Sequence, residues 1–265
     1  MGLRHNIFTA TYPAFALAMR LGFVRSIMDR IPPILLISPY YMRWYEENVS
    51  YPKSDHWKYH ADYWNTVGQW RWQQKISYAD MVETLARHTL PEDKTLIDVG
   101  CGNGAMMAEL AKHYSFSMTG IDAAPRMCEQ AEKIPGAFVI CAPYGPGLKI
   151  APADIVIARS TLTCIDESEI VPVLNWLSSI TGRLLIIADP SAIHDEELIA
   201  KGSLHVERVS DTVYKRHHDH THIRDYAKYE IPGFTLSETL IERENSRGSR
   251  QWVFHRISNS ARTIG

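Results

Sequence analysis

Residues 96 to 104, LIDVGCGNG, set three glycines directly behind a carboxylate. Leu96-Ile97-Asp98-Val99 is a short, apolar, β-branched run that reads as a buried strand, and the AMMAEL that follows Gly104 reads as a helix. A strand, a glycine turn and a helix start make a nucleotide cradle, because a residue without Cβ lets the backbone approach a ligand closely. GCGNGA satisfies the dinucleotide pattern GxGxxG/A as well as a plain GxGxG, so the glycines alone do not choose the ligand. Asp98 does. A carboxylate at the strand tip complements a cation and repels a pyrophosphate lodged on the helix N-terminus. S-adenosylmethionine carries a sulfonium and an ammonium and no phosphate. Asp122, closing MTGID, stands where an acid can accept both ribose hydroxyls.

Two further clusters could do chemistry. YKRHHDHTHIRDY carries His217, His218, His220 and His222 around Asp219. In an extended chain His218, His220 and His222 share one face, which suits a metal site, a single general base or a solvated structural stretch. Imidazole titrates near neutrality, so the expectation is that His218 or His220 faces the substrate as base, with no metal. The second cluster is aromatic. Tyr59, Tyr63, Trp64, Trp70 and Trp72 fit either the packing of N-terminal helices or the wall of a pocket around a sulfonium and an apolar acceptor.

These groups need elements to position them. Strands are expected at 95–99, 117–121, 137–141, 154–158 and 183–188 with helical patterns between most of them, which implies a mainly parallel sheet covered on both faces. FTLSETLIER and QWVFHRI, joined by ENSRGS, form a hairpin and are therefore antiparallel. Asp189, after the fifth strand, reads as a helix N-terminal residue rather than a base. Residues 1–79 read as an aromatic-rich helical cap and 80–265 as the ligand-binding domain. Phe8, Tyr12, Phe15, Met19, Phe23 and Ile27 make an apolar helical stripe accompanied by Arg4, Arg20, Arg25 and Arg30. Packing on the protein body is favoured for this stripe over contact with a membrane surface.

Composition narrows the class. The chain has 265 residues, 45% hydrophobic, enough for a full core. A net charge of -2 gives no global reason to expect nucleic acid. The four cysteines form no CxxC pair, and no run is long and apolar enough to span a bilayer, so a cytoplasmic location with free thiols is expected.

LIDVGCGNG, MTGIDAAPRM, ADIVIARSTL, RLLIIADPS and IPGFTL together resemble, in order, the motifs of the class I S-adenosylmethionine-dependent methyltransferases. The resemblance covers roughly residues 80 to 257. It implies a doubly wound, mainly parallel seven-stranded α/β sheet, Rossmann-like, ending in an antiparallel hairpin. It also implies S-adenosylmethionine as cofactor and S-adenosylhomocysteine as product. Carried over, it puts Asp98, Gly100, Gly102 and Gly104 along the methionine part and ribose, and Asp122 at the ribose hydroxyls. Arg159 and Ser160 would lie between sulfonium and acceptor. The third strand lacks the acidic residue that often meets adenine and reads VICAPYGPG instead, so that contact falls to the Cys141-Ala142 backbone or Tyr144. ARSTL stands where an NPPY-type motif would mark amide or nucleobase N-methylation. The expected acceptor is thus a small, partly apolar molecule methylated on O, N or C, with Tyr59, Tyr63, Trp64 and Ser160 on its side. A nicotinamide-dependent oxidoreductase and a membrane-peripheral binding protein are the alternatives.

Overall fold

The computed structural model describes residues 77–190, 206–211, 213–216, 221–242 and 249–257, with residues 13, 14, 17 and 18 near the N-terminus. The expected cap and its apolar stripe therefore lie almost wholly outside the described residues.

A helix α1 (Ala79–His88) leads into β1 (Thr95–Val99), α2 (Ala105–Leu110), β2 (Ser117–Asp122), α3 (Pro125–Ala131) and β3 (Ala137–Cys141). Then follow β4 (Ala153–Arg159), a 3-10 turn (Leu162–Cys164), α4 (Ile170–Ile180) and β5 (Thr181–Pro190). Three short strands come next, β6 (Val206–Arg208), β7 (Val213–Arg216) and β8 (Thr221–Arg224), before the hairpin β9 (Phe234–Ile241) and β10 (Ser249–Arg256). The main sheet has seven strands in the order β3-β2-β1-β4-β5-β10-β9. The first five are parallel, and β10 enters antiparallel between β5 and β9.

Strand alternation sends neighbouring residues into two separate cores. Ile97, Val99, Val156, Ala158, Leu185, Ile187, Trp252 and Phe254 pack with Val173, Leu174 and Leu177 of α4. Leu96, Ile155, Ile157, Leu184, Ile186 and Val253 pack with Met81 and Leu85 of α1 and with Met106, Met107 and Leu110 of α2. Burial on both faces is why these strands are nearly continuous apolar runs. Strand order reverses between β1 and β4, so their carboxyl ends diverge around one crevice, where ligands of open α/β sheets bind. Asp98 and the glycine turn lie on one side of it, Arg159 and Ser160 on the other.

Two features depart from the sequence reading. The polar stretch around 206–224 forms a second, three-stranded antiparallel sheet, β6-β7-β8. It escapes a hydrophobicity reading because its strands are short and charged or polar residues interrupt them. Asp189 does not start a helix. It lies within β5, fully buried, and accepts the Tyr226 hydroxyl on Oδ2 at 2.8 Å, while its Oδ1 has no partner. Tyr226 is held edge-on against Trp252 at 5.1 Å between ring centroids.

Burial pushes the Asp189 carboxyl up to about 7, against the Tyr226 hydrogen bond and the nearby Arg224 and Arg159 guanidinium groups. With the folded pKa above the unfolded value of ~3.9, this carboxyl makes the fold less stable as pH rises from about 4 to 7. Tyr226→Phe removes the one hydroxyl that offsets the ionised form. Urea unfolding of Tyr226→Phe should show a loss of about 1–3 kcal/mol at pH 8 and a clearly smaller loss at pH 5. An equal loss at both pH values would show that the carboxylate is not what the hydroxyl serves.

Candidate active site

The turn after β1 is shaped by backbone that only glycine takes easily. Gly100, Gly102 and Gly104 have φ of 72, 55 and 78°. Gly100 has a second constraint, since a Cβ there would stand 2.1 Å from Thr161 Oγ1 and 2.4 Å from Thr161 Cβ. The glycine turn and the segment after β4 are therefore in direct contact. That segment is pinned from two directions. Tyr144, beyond β3, donates its hydroxyl to Thr161 O at 2.9 Å and accepts from Thr161 Oγ1 at 2.8 Å. Arg224 of β8 donates to Leu162 O and Ile165 O at 3.0 and 2.6 Å and reaches Glu167 Oε2 at 2.8 Å. Ser160, exposed at the β4 tip, has φ 53°, a rare conformation for a residue with Cβ, and its N–H donates to Ala188 O at 2.7 Å.

The two carboxylates that the sequence reading assigns to a cofactor do different work. Asp122 Oδ2 accepts Gly102 N–H and Oδ1 accepts Ala124 N–H, each at 2.8 Å, so it fastens the glycine turn and the start of α3 to the tip of β2. Its carboxyl is raised by burial, with those N–H groups opposing. Asp98 is 2% exposed, and its buried Oδ2 has no hydrogen-bond partner among the described residues. Burial lifts it to about 7, Asp122 adds to the rise, and Arg159 opposes it. An unpaired buried carboxylate costs free energy until a cation or donor meets it. An adjacent cradle that no Cβ may enter and an orphaned carboxyl both fit a ligand bearing a cation.

Arg159 is less free than its motif position suggests. Its guanidinium pairs with the buried Glu242 at 3.2 Å and lies over the Tyr78 ring, 5.1 Å from the centroid, leaving Nε buried without a partner. Gln251 completes the group by donating to Glu242 Oε1 at 3.1 Å. Arg159, Ala188 and Gln251 form one row across β4, β5 and β10. Sequence patterns missed this group because its members lie far apart in the chain. Near β3, Ala142 N–H is already donated to Asp122 O at 2.9 Å, Pro143 has no N–H, and the Tyr144 hydroxyl is engaged with Thr161. The Cys141 side chain at this edge is exposed.

His222 is buried on β8, while His217, His218 and His220 lie outside the described residues, as do Tyr59, Tyr63 and Trp64.

Residues 96–181 match the family described as "Methyltransferase domain". That match takes in β1 to β4, the glycine turn and the start of β5. EEF1A lysine methyltransferase 2 of Mus musculus is 35% identical over 54 residues, 20% of this chain and 22% of that protein. The 2-methyl-6-phytyl-1,4-hydroquinone methyltransferase of Synechocystis sp. is 38% identical over 63 residues, 23% of this chain and 20% of that protein. These matches thus span about a fifth of the length of the curated relatives. Over the fold, the structure of a magnesium protoporphyrin IX methyltransferase from Synechocystis PCC 6803 with bound S-adenosylhomocysteine superposes with a TM-score of 0.56. It covers 77% of this chain and 100% of that one at 20% identity. The seven-stranded sheet shares that fold, with the parallel run and antiparallel pair expected from the sequence.

Gly100→Ala should lower stability by about 2 kcal/mol or more, since it combines positive φ with a collision against a branched side chain. Gly104→Ala should cost less, because the atom it meets at 2.2 Å is Ile134 Cδ1, the far end of a flexible chain. Thermal unfolding of the two variants side by side checks the order, and the reverse order would contradict this account of the turn.

Proposed function

We propose that the protein transfers the methyl group of S-adenosylmethionine to an O, N or C atom of a small, partly apolar acceptor. The observation that carries this reading is the orphaned Asp98 carboxyl behind a glycine turn, a site that favours a cationic ligand and disfavours a dinucleotide pyrophosphate. Bound there, S-adenosylmethionine supplies a methyl carbon already activated by sulfonium. Asp98 would take its ammonium and Asp122 its ribose hydroxyls. Ala142 would border adenine, and the glycine turn would let the chain lie close along the methionine part. Arg159 and Ser160 would lie at the β4 tip between the sulfonium side and the acceptor, Arg159 toward the cofactor and Ser160 toward the acceptor. Displacement at such a carbon needs mainly alignment and exclusion of water, which a pinned β4 loop favours.

Residues 1–79 are proposed as a cap on the acceptor, with Tyr59, Tyr63 and Trp64 on its wall. His218 or His220 is proposed as the group that takes or orients the acceptor proton. Its support is proximity along the chain, since β8, whose Arg224 holds the β4 loop, begins at Thr221. A cytoplasmic protein acting on a small molecule, not nucleic acid, fits the near-neutral charge. Among the described residues no helix is long and apolar enough to cross a membrane. Contact of the N-terminal stripe with a membrane surface is the less favoured arrangement.

Calorimetry with S-adenosylmethionine, S-adenosylhomocysteine and both nicotinamide cofactors tests the reading, and binding of a nicotinamide cofactor alone would sink it. A cation favours ionised Asp98, so below pH 7 binding must release the proton that burial holds there. Affinity for S-adenosylmethionine should therefore rise from pH 6 to 8, and Asp98→Asn should flatten that rise. Asp122→Ala should weaken S-adenosylhomocysteine by about 1.5–3 kcal/mol through lost charge-assisted hydrogen bonds. Parent-like binding in both variants would displace the site.

With an acceptor in hand, His218→Ala or His220→Ala should lower turnover by ~10²–10⁴ while S-adenosylhomocysteine affinity holds. Full turnover in both variants would remove the histidine from the mechanism.

A further inference from the structure

Cys128 and Cys141 stand together at the rim of the cofactor site. Cys128 is buried on the inner side of α3 and Cys141 is the exposed last residue of β3; burial and the nearby Cys141 thiol push the Cys128 thiol up. Cys141 is also the register partner of Asp122 across β2 and β3. Both sulfur-bearing segments converge on one atom, the Asp122 carbonyl oxygen. It accepts Cys128 Sγ at 3.3 Å and the N–H of Ala142, the residue after Cys141, at 2.9 Å.

We propose that Cys128 and Cys141 form a reversible disulfide that weakens cofactor binding, so that hydrogen peroxide regulates the site. The inference rests on the reading of Asp122 and Ala142 as cofactor-binding. Cys141, the accessible thiol, reacts first. As thiolate its sulfur attacks one peroxide oxygen, the S–O bond forms as the O–O bond breaks, and the departing hydroxide leaves with the thiol proton as water. Cys128 sulfur then attacks the sulfenic sulfur, the S–S bond forms as the S–O bond breaks, and the hydroxyl leaves with the Cys128 proton as a second water. Two thiols are oxidised by two electrons and one hydrogen peroxide is reduced by two. A dithiol reverses the reaction by exchange.

The consequence for the site is local. A disulfide holds its sulfurs about 2.0 Å apart, closer than any thiol hydrogen bond. Closing that distance takes Cys128 away from the Asp122 carbonyl and draws α3 toward the β3 tip, beneath the segment that borders adenine. Asp122 Oδ1 caps the same helix start through Ala124 N–H, so the carboxylate that serves the ribose shifts with it.

The full-length protein is treated with hydrogen peroxide, its remaining thiols are alkylated, and peptide mass spectrometry locates the bond. S-adenosylhomocysteine affinity is measured by calorimetry before peroxide, after it, and after dithiothreitol. The expected result is a 128–141 disulfide, roughly tenfold weaker binding, and recovery on reduction. In Cys128→Ser the affinity should be the same before and after peroxide. Alkylation of both thiols after peroxide would overturn the proposal, as would a formed disulfide with unchanged affinity. Reduced protein that binds no S-adenosylhomocysteine would instead overturn the cofactor reading, and the mass spectrum would still report the disulfide on its own.

Discussion

The contact between Gly100 and Thr161 is the constraint around which the site is arranged. A missing Cβ lets the loop behind β1 touch the loop behind β4, and these two loops flank the point where the sheet changes direction. Close contact alone would not fix them. Arg224 holds the β4 loop through two carbonyls and Glu167, Tyr144 ties Thr161 to the segment after β3, and Asp122 anchors the glycine turn from β2. Each anchor comes from a different element. The crevice is therefore rigid on both walls, which suits a reaction that needs its partners aligned more than it needs proton transfers.

Polar burial in this molecule divides by face. Asp98, Arg159, Glu242 and Gln251 share the α1 side of the sheet, and Asp189, Tyr226 and Arg224 share the α4 side. Asp98 and Asp189 each leave one carboxylate oxygen unpaired, and burial raises both to about 7. They differ in what surrounds them. Asp189 is braced by a tyrosine hydroxyl and two guanidinium groups, a structural arrangement, whereas Asp98 borders a cradle and, among the described residues, is opposed by Arg159 alone. Unpaired burial at the mouth of a cradle points to a ligand, and the same burial behind a braced core points to packing.

Much of this was legible in the chain itself. Strands buried on both faces leave continuous runs such as LLIIA, and left-handed turns leave glycines, so β1 to β5, the hairpin and the Asp98, Asp122 and glycine set all announce themselves locally. What stayed hidden depends on distant partners. Arg224 lies in a histidine-rich polar stretch that reads as surface, yet it is almost fully buried because two main-chain carbonyls and Glu167 satisfy it. The Arg159-Glu242-Gln251 group joins β4 to the last hairpin and has no signature in any single window. The small sheet β6-β7-β8 shows period-two alternation only faintly, because charged residues stand on both faces.

The placement of β10 has a consequence for how the chain matures. β5 lies inside the finished sheet, but the strand that covers its outer edge is separated from it by the whole of β6, β7, β8 and β9. During synthesis the five parallel strands therefore emerge with an open row of amides along β5, a template for wrong pairing. Such long-range closure slows folding, and until β10 arrives neither Trp252 nor Gln251 is present to complete the two faces. Until the last hairpin is made, the motifs of β1 to β4 are in the chain but the wall that β10 supplies is not.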